Sequence, residues 1–134
     1  ASSIEAFLAG SPHAVVGASR DRSKFGNKVL RNYLQRGMPV YAVNPSCADS
    51  EGVEGVTTVA KLADLPEPVH GLSIITPPRV TDRVIDEAIA AGIAHLWIQP
   101  GAEHAGAIRR AQDAGLSVIH GGPCLLVELG FAGP

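Results

Sequence analysis

The stretch AVVGASRDRSKFGNKVL, residues 14–30, reads as a buried strand, a turn and the start of a helix. Its β-branched apolar opening ends at Gly17. Further on, Val29, Leu30, Tyr33 and Leu34 recur at i, i+3, i+4 spacing, which predicts a helix over residues 26–36 stopped by Gly37. A strand that turns through glycine into a helix is the opening unit of a nucleotide-binding βαβ fold. The helix start offers unpaired N–H groups and the positive end of its dipole to phosphate. The dinucleotide fingerprint, however, is G-x-G-x-x-G with an acid about 20 residues on. Both parts are missing: Gly17 is followed by Ala18 and Ser19, the next glycine is Gly26, and the second strand PVYAV ends in Asn44-Pro45.

Outward from this stretch, short apolar runs alternate with helical segments. A short strand is expected at residues 56–59, a helical turn at 61–65, and a fourth strand, HGLSIIT, at 70–76 that stops at Pro77-Pro78. A helix over residues 80–91 would bury Val84, Ile85, Ala88 and Ile89 and end at Gly92. A fifth strand, HLWIQ, leads through Pro100-Gly101 to a helix over 103–114, and LSVIH forms the sixth. Runs such as VYAV, LSII and HLWI are apolar almost throughout, as strands covered on both faces are. The expected fold is a single α/β domain over residues 1–134. It is Rossmann-like and doubly wound, with a mainly parallel sheet of five to six strands and helices on both faces. Ligands of such sheets lie at the strand carboxyl ends where strand order reverses, here between the first and fourth strands. That selects the loop 17–26 and the segment TPPR at 76–79.

Composition narrows the function. With 134 residues and a net charge of −2, the chain lacks the basic excess of a bulk nucleic-acid binder. Arg20, Arg22, Lys24, Lys28 and Arg31 cluster around the opening loop with Asp21 as the one acid among them. Such a loop suits a phosphate-rich ligand, including one whose ribose carries phosphate; the alternative is a solvated charged face. Cys47 and Cys124 show neither zinc-ligand nor disulfide spacing, so no metal is expected and both are read as reduced thiols. No run reaches the roughly 18 apolar residues of a membrane span, and the start ASSIEAFLAG has no secretory leader pattern, so a cytoplasmic protein without membrane contact is expected.

The chain resembles the CoA-binding domain family, found at the N-terminus of the succinyl-CoA synthetase alpha subunit and as small stand-alone proteins. The resemblance spans residues 11–130 and rests on VVGAS at 15–19, SKFG at 23–26, VNP at 43–45, ITPP at 75–78 and WIQPG at 97–101. It implies that Gly17, Ala18, Ser19, Arg20, Ser23, Lys24, Phe25, Gly26, Asn44 and Pro45 line the nucleotide and phosphates of CoA or an acyl-CoA. Thr76, Pro77 and Pro78 would close over its adenine and pantetheine side, with Gln99, Pro100 and Gly101 nearby. ITPP is closer to the ligase version than to stand-alone members, and GGPCLLVELGFAGP differs from the charged ending of small members. The ligases also need a second domain with a phosphorylated histidine, which this sequence does not contain.

Three functions follow. The first is CoA binding with no catalysis required. The second is a small enzyme on the same scaffold using Glu103, His104, His120 or Cys124 near the ligand edge. The third is an NAD(P)-binding module or redox sensor, disfavoured by Asn44 in place of the ribose acid. EHAGAI at 103–108 is similar to a phosphohistidine run but opens a helix in the wrong place. Cys124 is read as a buried structural thiol ahead of LLVELGF, and Cys47 as lying in a polar loop, where an incidental position is favoured over a mixed disulfide with CoA. His13, His70 and His95 start strands at the edge away from the site, and Trp97 is read as core. The apolar tail either covers the core or pairs with a second subunit, which leaves a homodimer open.

Overall fold

The structure is a computed structural model that describes residues 3–134. Six parallel strands form one sheet in the order β3-β2-β1-β4-β5-β6. They are β1 (His13–Val16), β2 (Val40–Val43), β3 (Thr58–Val59), β4 (Gly71–Ile74), β5 (His95–Ile98) and β6 (Ser117–Ile119). The helices are α1 (Ser3–Ala9), α2 (Phe25–Gln35), α3 (Pro78–Ala91), α4 (Ala105–Asp113) and α5 (Leu125–Glu128). Strand order reverses between β1 and β4, the arrangement that opens a ligand crevice at the carboxyl edge.

The strands bury both faces because their side chains alternate between two apolar layers. Ala14, Val16, Leu72, Ile74, Leu96 and Ile98 meet α3 and α4 through Val84, Ile85, Ala107, Ile108 and Ala111. On the other face Val15 and Trp97 meet Phe7 of α1, Val29, Leu30 and Tyr33 of α2, and Leu125 of α5. The Tyr33 hydroxyl and the Ser73 hydroxyl share a hydrogen bond of 2.7 Å inside this second layer. Burial pushes the Tyr33 phenol well up, so it stays neutral.

Several boundaries differ from expectation. The all-parallel β3 is only Thr58–Val59, because Val53 and Val56 instead form an isolated antiparallel bridge. Helix α4 starts at Ala105, two residues later than expected, since His104 is extended and accepts from the Ala107 N–H through Nδ1 at 3.1 Å. Helix α1 was not anticipated at all. Seven residues are too few to hold a helix alone, and α1 forms because Phe7 packs against Trp97 and His13 while His13 and His70 donate to its carbonyls. Cys47, expected in a polar loop, is buried in the second layer at the end of the 3-10 turn Pro45–Cys47. Cys124, expected to be buried, is half-buried just before α5.

The apolar tail folds back on its own chain. Arg36 donates to Leu129 O at 2.6 Å, Gln35 exchanges two bonds with Ala132, and the Arg31 guanidinium lies 5.2 Å over the Phe131 ring. No helix among the described residues is long and apolar enough to cross a membrane.

Candidate functional site

The β1-to-α2 loop is set by two glycines in contact. Gly17 has φ +91°, and a Cβ there would lie 2.0 Å from Ile75 O; a Cβ on Gly26 would lie 2.0 Å from Gly17 O. Only glycine lets the turn press against the end of β4 and lets the first turn of α2 press on the turn. These are the jobs of the tight-turn and helix-packing glycines of a dinucleotide loop, done here with a longer spacer between them. Gly17 N–H donates to Val43 O at 3.1 Å, which ties the turn to β2 as well.

The spacer is ordered by its own polar groups. Ser19 Oγ accepts from the Asp21 N–H at 3.1 Å, and Asp21 accepts from both the N–H and the hydroxyl of Ser23 at 3.0 and 2.6 Å. The Ser23 hydroxyl and N–H hold the Asp21 carboxyl below its ordinary value. Asn27, fully buried in α2, donates to Ser19 O at 2.7 Å and to Glu54 Oε2 at 3.1 Å, and accepts from Arg31 Nε at 2.6 Å. Asn44, where a ribose-binding acid would stand, donates to Ala18 O at 2.6 Å and accepts from the Ser46 N–H at 2.9 Å. Its amide therefore braces the loop from the end of β2. Lys24, extended before α2, gives no side-chain cap, and the first-turn N–H groups of Phe25, Gly26 and Asn27 have no backbone acceptor among the described residues.

The cations of the loop are less free than the sequence suggests. Segment 48–54 folds over it and supplies acids: Arg20 pairs with Asp49 and with Glu51 at 3.5 Å and donates to Gly52 O at 2.7 Å, and Arg22 lies 3.6 Å from Glu54. The Arg20 guanidinium holds the Asp49 carboxyl below the usual carboxylate range. Arg31 is buried and spends its donors on Asn27, Arg22 O and Pro134 O. Lys24 and Lys28 have no ion pair or side-chain hydrogen bond among the described residues.

A cleft of about 210 Å³ opens beside the loop, at the carboxyl ends of β1, β2 and β4. Its walls are Val16, Val43, Leu62, Val80 and Val84, and its polar edge brings together Gly17, Asn44, Pro45 and Thr76 from the sequence expectation. The Thr76 and Thr81 hydroxyls share a 2.7 Å hydrogen bond that fixes the start of α3, where Pro78 is the first helical residue. Ala60, Lys61, Arg83 and Glu87 complete the lining and were not singled out in the sequence, because they belong to a loop and to the solvent-facing part of α3.

Gln99, Pro100 and Gly101 lie one strand further along, outside the cleft lining. Gln99 is 1% exposed; its carbonyl accepts from the Leu125 N–H at 3.0 Å, and its Nε2 has no partner among the described residues. The four catalytic candidates sit along this same edge with other tasks. Glu103 accepts from the Gly101 N–H at 2.7 Å, His104 caps α4, His120 is exposed after β6, and Cys124 precedes α5. No hydrogen bond joins any two of them among the described residues. No three His, Cys, Asp or Glu side chains among the described residues are grouped to hold a metal ion.

Comparison with known proteins agrees with this fold. A conserved hypothetical protein of Pyrococcus furiosus is 35% identical, with a TM-score of 0.81 over 89% of this chain and 99% of that one. The acetyl-coenzyme A synthetase 1 of Candidatus Korarchaeum cryptofilum, solved with phosphate and ADP, is 31% identical with a TM-score of 0.75, covering 87% of this chain and 27% of that one. An ADP-forming acetate–CoA ligase of Archaeoglobus fulgidus is 32% identical over 74 residues, which are 55% of this chain and only 10% of the ligase. The model of the CoA binding domain matches residues 12–130, and the chain belongs to that family of CoA-binding domains.

Proposed function

We propose that the protein holds CoA or an acyl-CoA across the β1/β4 crevice, as a binding module that needs no catalytic group of its own. The observation that carries this reading is the pair of touching glycines, Gly17 and Gly26, which seats the start of α2, whose first N–H groups have no backbone acceptor among the described residues, against a turn whose Gly17 also lines an apolar cleft. The pyrophosphate would lie against residues 17–19 and 23–26, with the N–H groups of the first turn of α2 and Lys24 opposing its charge. Arg20 would serve the same loop through the Asp49 pairing that keeps it in shape. The adenine would enter between Val43, Leu62 and Val80, with Asn44, Pro45 and residues 76–78 at its rim. The pantetheine arm would then run along the strand ends toward residues 99–101, one strand beyond the cleft.

The engagement of Glu103 and His104 in local backbone bonds favours binding over acid–base chemistry. Asn44, with both ends of its amide on backbone groups, favours CoA over NAD. Thermal unfolding with CoA, acetyl-CoA, NAD and NADP tests the reading. A ligand at 100 times its Kd stabilises the fold by about 2.7 kcal/mol, a rise in Tm of several degrees. CoA or acetyl-CoA should give that rise; a rise with NAD or NADP and none with either CoA species would overturn the proposal.

A further inference from the structure

Lys61 and Arg83 stand on opposite elements of the same cleft, and neither has an ion pair or side-chain hydrogen bond among the described residues. Lys61 precedes the 3-10 turn Leu62–Asp64, whose Leu62 forms part of the wall; Arg83 projects from α3 between the wall residues Val80 and Val84. This contrasts with Arg20, Arg22 and Arg110, each of which faces a carboxylate. The cleft contains one acid, Glu87, so its lining carries two cations against one anion. An apolar slot with unspent cations at its edge fits a flat base attached to a phosphorylated sugar.

Asn44 supplies the second half of the argument. In nucleotide sites of this topology, an acid at the end of the second strand accepts hydrogen bonds from free ribose hydroxyls, and a nearby cation marks a ribose that bears phosphate. Here the acid is absent, and the amide that stands in its place just after β2 is engaged at both ends by backbone groups, Ala18 O and the Ser46 N–H. On this evidence, and resting on the CoA reading above, we infer that Lys61 and Arg83 bind the phosphate on the adenosine ribose, and that they make the cleft selective for 3′-phosphorylated CoA over dephospho-CoA. The sugar phosphate is thereby read by the cleft, while the pyrophosphate is read separately by the start of α2 and Lys24.

Isothermal titration with CoA and dephospho-CoA separates these contacts. The wild-type protein should bind CoA at least tenfold more tightly than dephospho-CoA, and the ratio should fall toward one in a Lys61→Ala/Arg83→Ala variant whose affinity for dephospho-CoA is unchanged. Lys24→Ala should weaken both ligands alike and preserve the ratio. Both cleft residues are exposed, and an unchanged Tm of the unliganded variant confirms that it is folded. Equal wild-type affinity for the two ligands, or a ratio untouched by the double substitution, overturns the inference while leaving CoA binding intact. Failure of the wild-type protein to bind CoA removes both the CoA reading and this inference.

Discussion

Gly17 and Gly26 occupy one contact from two sides, yet their substitution should fail for different reasons. Gly17 combines φ +91° with a backbone oxygen 2.0 Å from any Cβ, whereas Gly26 is helical and meets the same kind of obstacle without backbone strain. Gly17→Ala should therefore cost more, with about 1–3 kcal/mol from the backbone conformation added to the displacement of Ile75. Urea denaturation of the two alanine variants checks this; equal losses would mean that contact alone sets the requirement. The two glycines were legible in the sequence as punctuation of a strand and a helix. The bracing by Asn27, Asn44 and Arg31 was not, since their partners, Glu54, Ala18 and Pro134, are distant in sequence. For the same reason Arg20 and Arg22 read as free cations until segment 48–54 brings its acids to them.

At the level of elements, α1 is fastened to the edge of the sheet opposite the cleft by two histidines, one of them stacked on a third. His13 donates through Nε2 to Phe7 O at 2.7 Å and His70 to Ala6 O at 2.8 Å, while the His70 and His95 rings stack 4.4 Å apart. Burial holds His13 below the ordinary imidazole value, the Phe7 carbonyl opposes this, and His70 and His95 add to the lowering; burial and then His70 lower His95. The Nδ1 atoms of His13 and His95 are buried with no hydrogen-bond partner among the described residues. Tyr33, stacked on His13, stays neutral and supplies no counter-charge.

With folded values below 6.5, the unfolded chain binds more protons as pH falls through 6.5. Stability should hold steady above that pH and decline below it, before carboxylates such as Asp21 and Asp49, held below the ordinary carboxylate value by Ser23 and Arg20, protonate. Urea midpoints measured from pH 7.5 to 4.5 should fall, with a shallower slope in His95→Gln; a flat profile would contradict neutral burial. Ile4, Phe7 and Leu8 carry helical spacing, but a segment this short gains its helix from those distant histidines. The tail was similarly ambiguous until its carbonyls met Gln35 and Arg36.

For the whole molecule, the alternation of apolar strands and amphipathic helices was enough to anticipate a doubly wound sheet, and with it the edge where a ligand belongs. The reversal between β1 and β4 and the two apolar layers follow from that pattern. The cleft's cations did not: β3 is two residues long and the segment carrying Lys61 has no periodicity, so nothing local places Lys61 opposite Arg83. The family match over residues 12–130 coincides with the span on which the sequence motifs rest.

Titrating ¹⁵N-labelled protein with CoA and following backbone amide shifts shows whether CoA occupies this edge of the sheet. Perturbations should concentrate at residues 17–19, 23–27, 44, 61, 76 and 83. Saturable binding that leaves these amides unmoved and shifts His13, His70 and His95 instead would put CoA at the opposite edge of the sheet and overturn the proposed site.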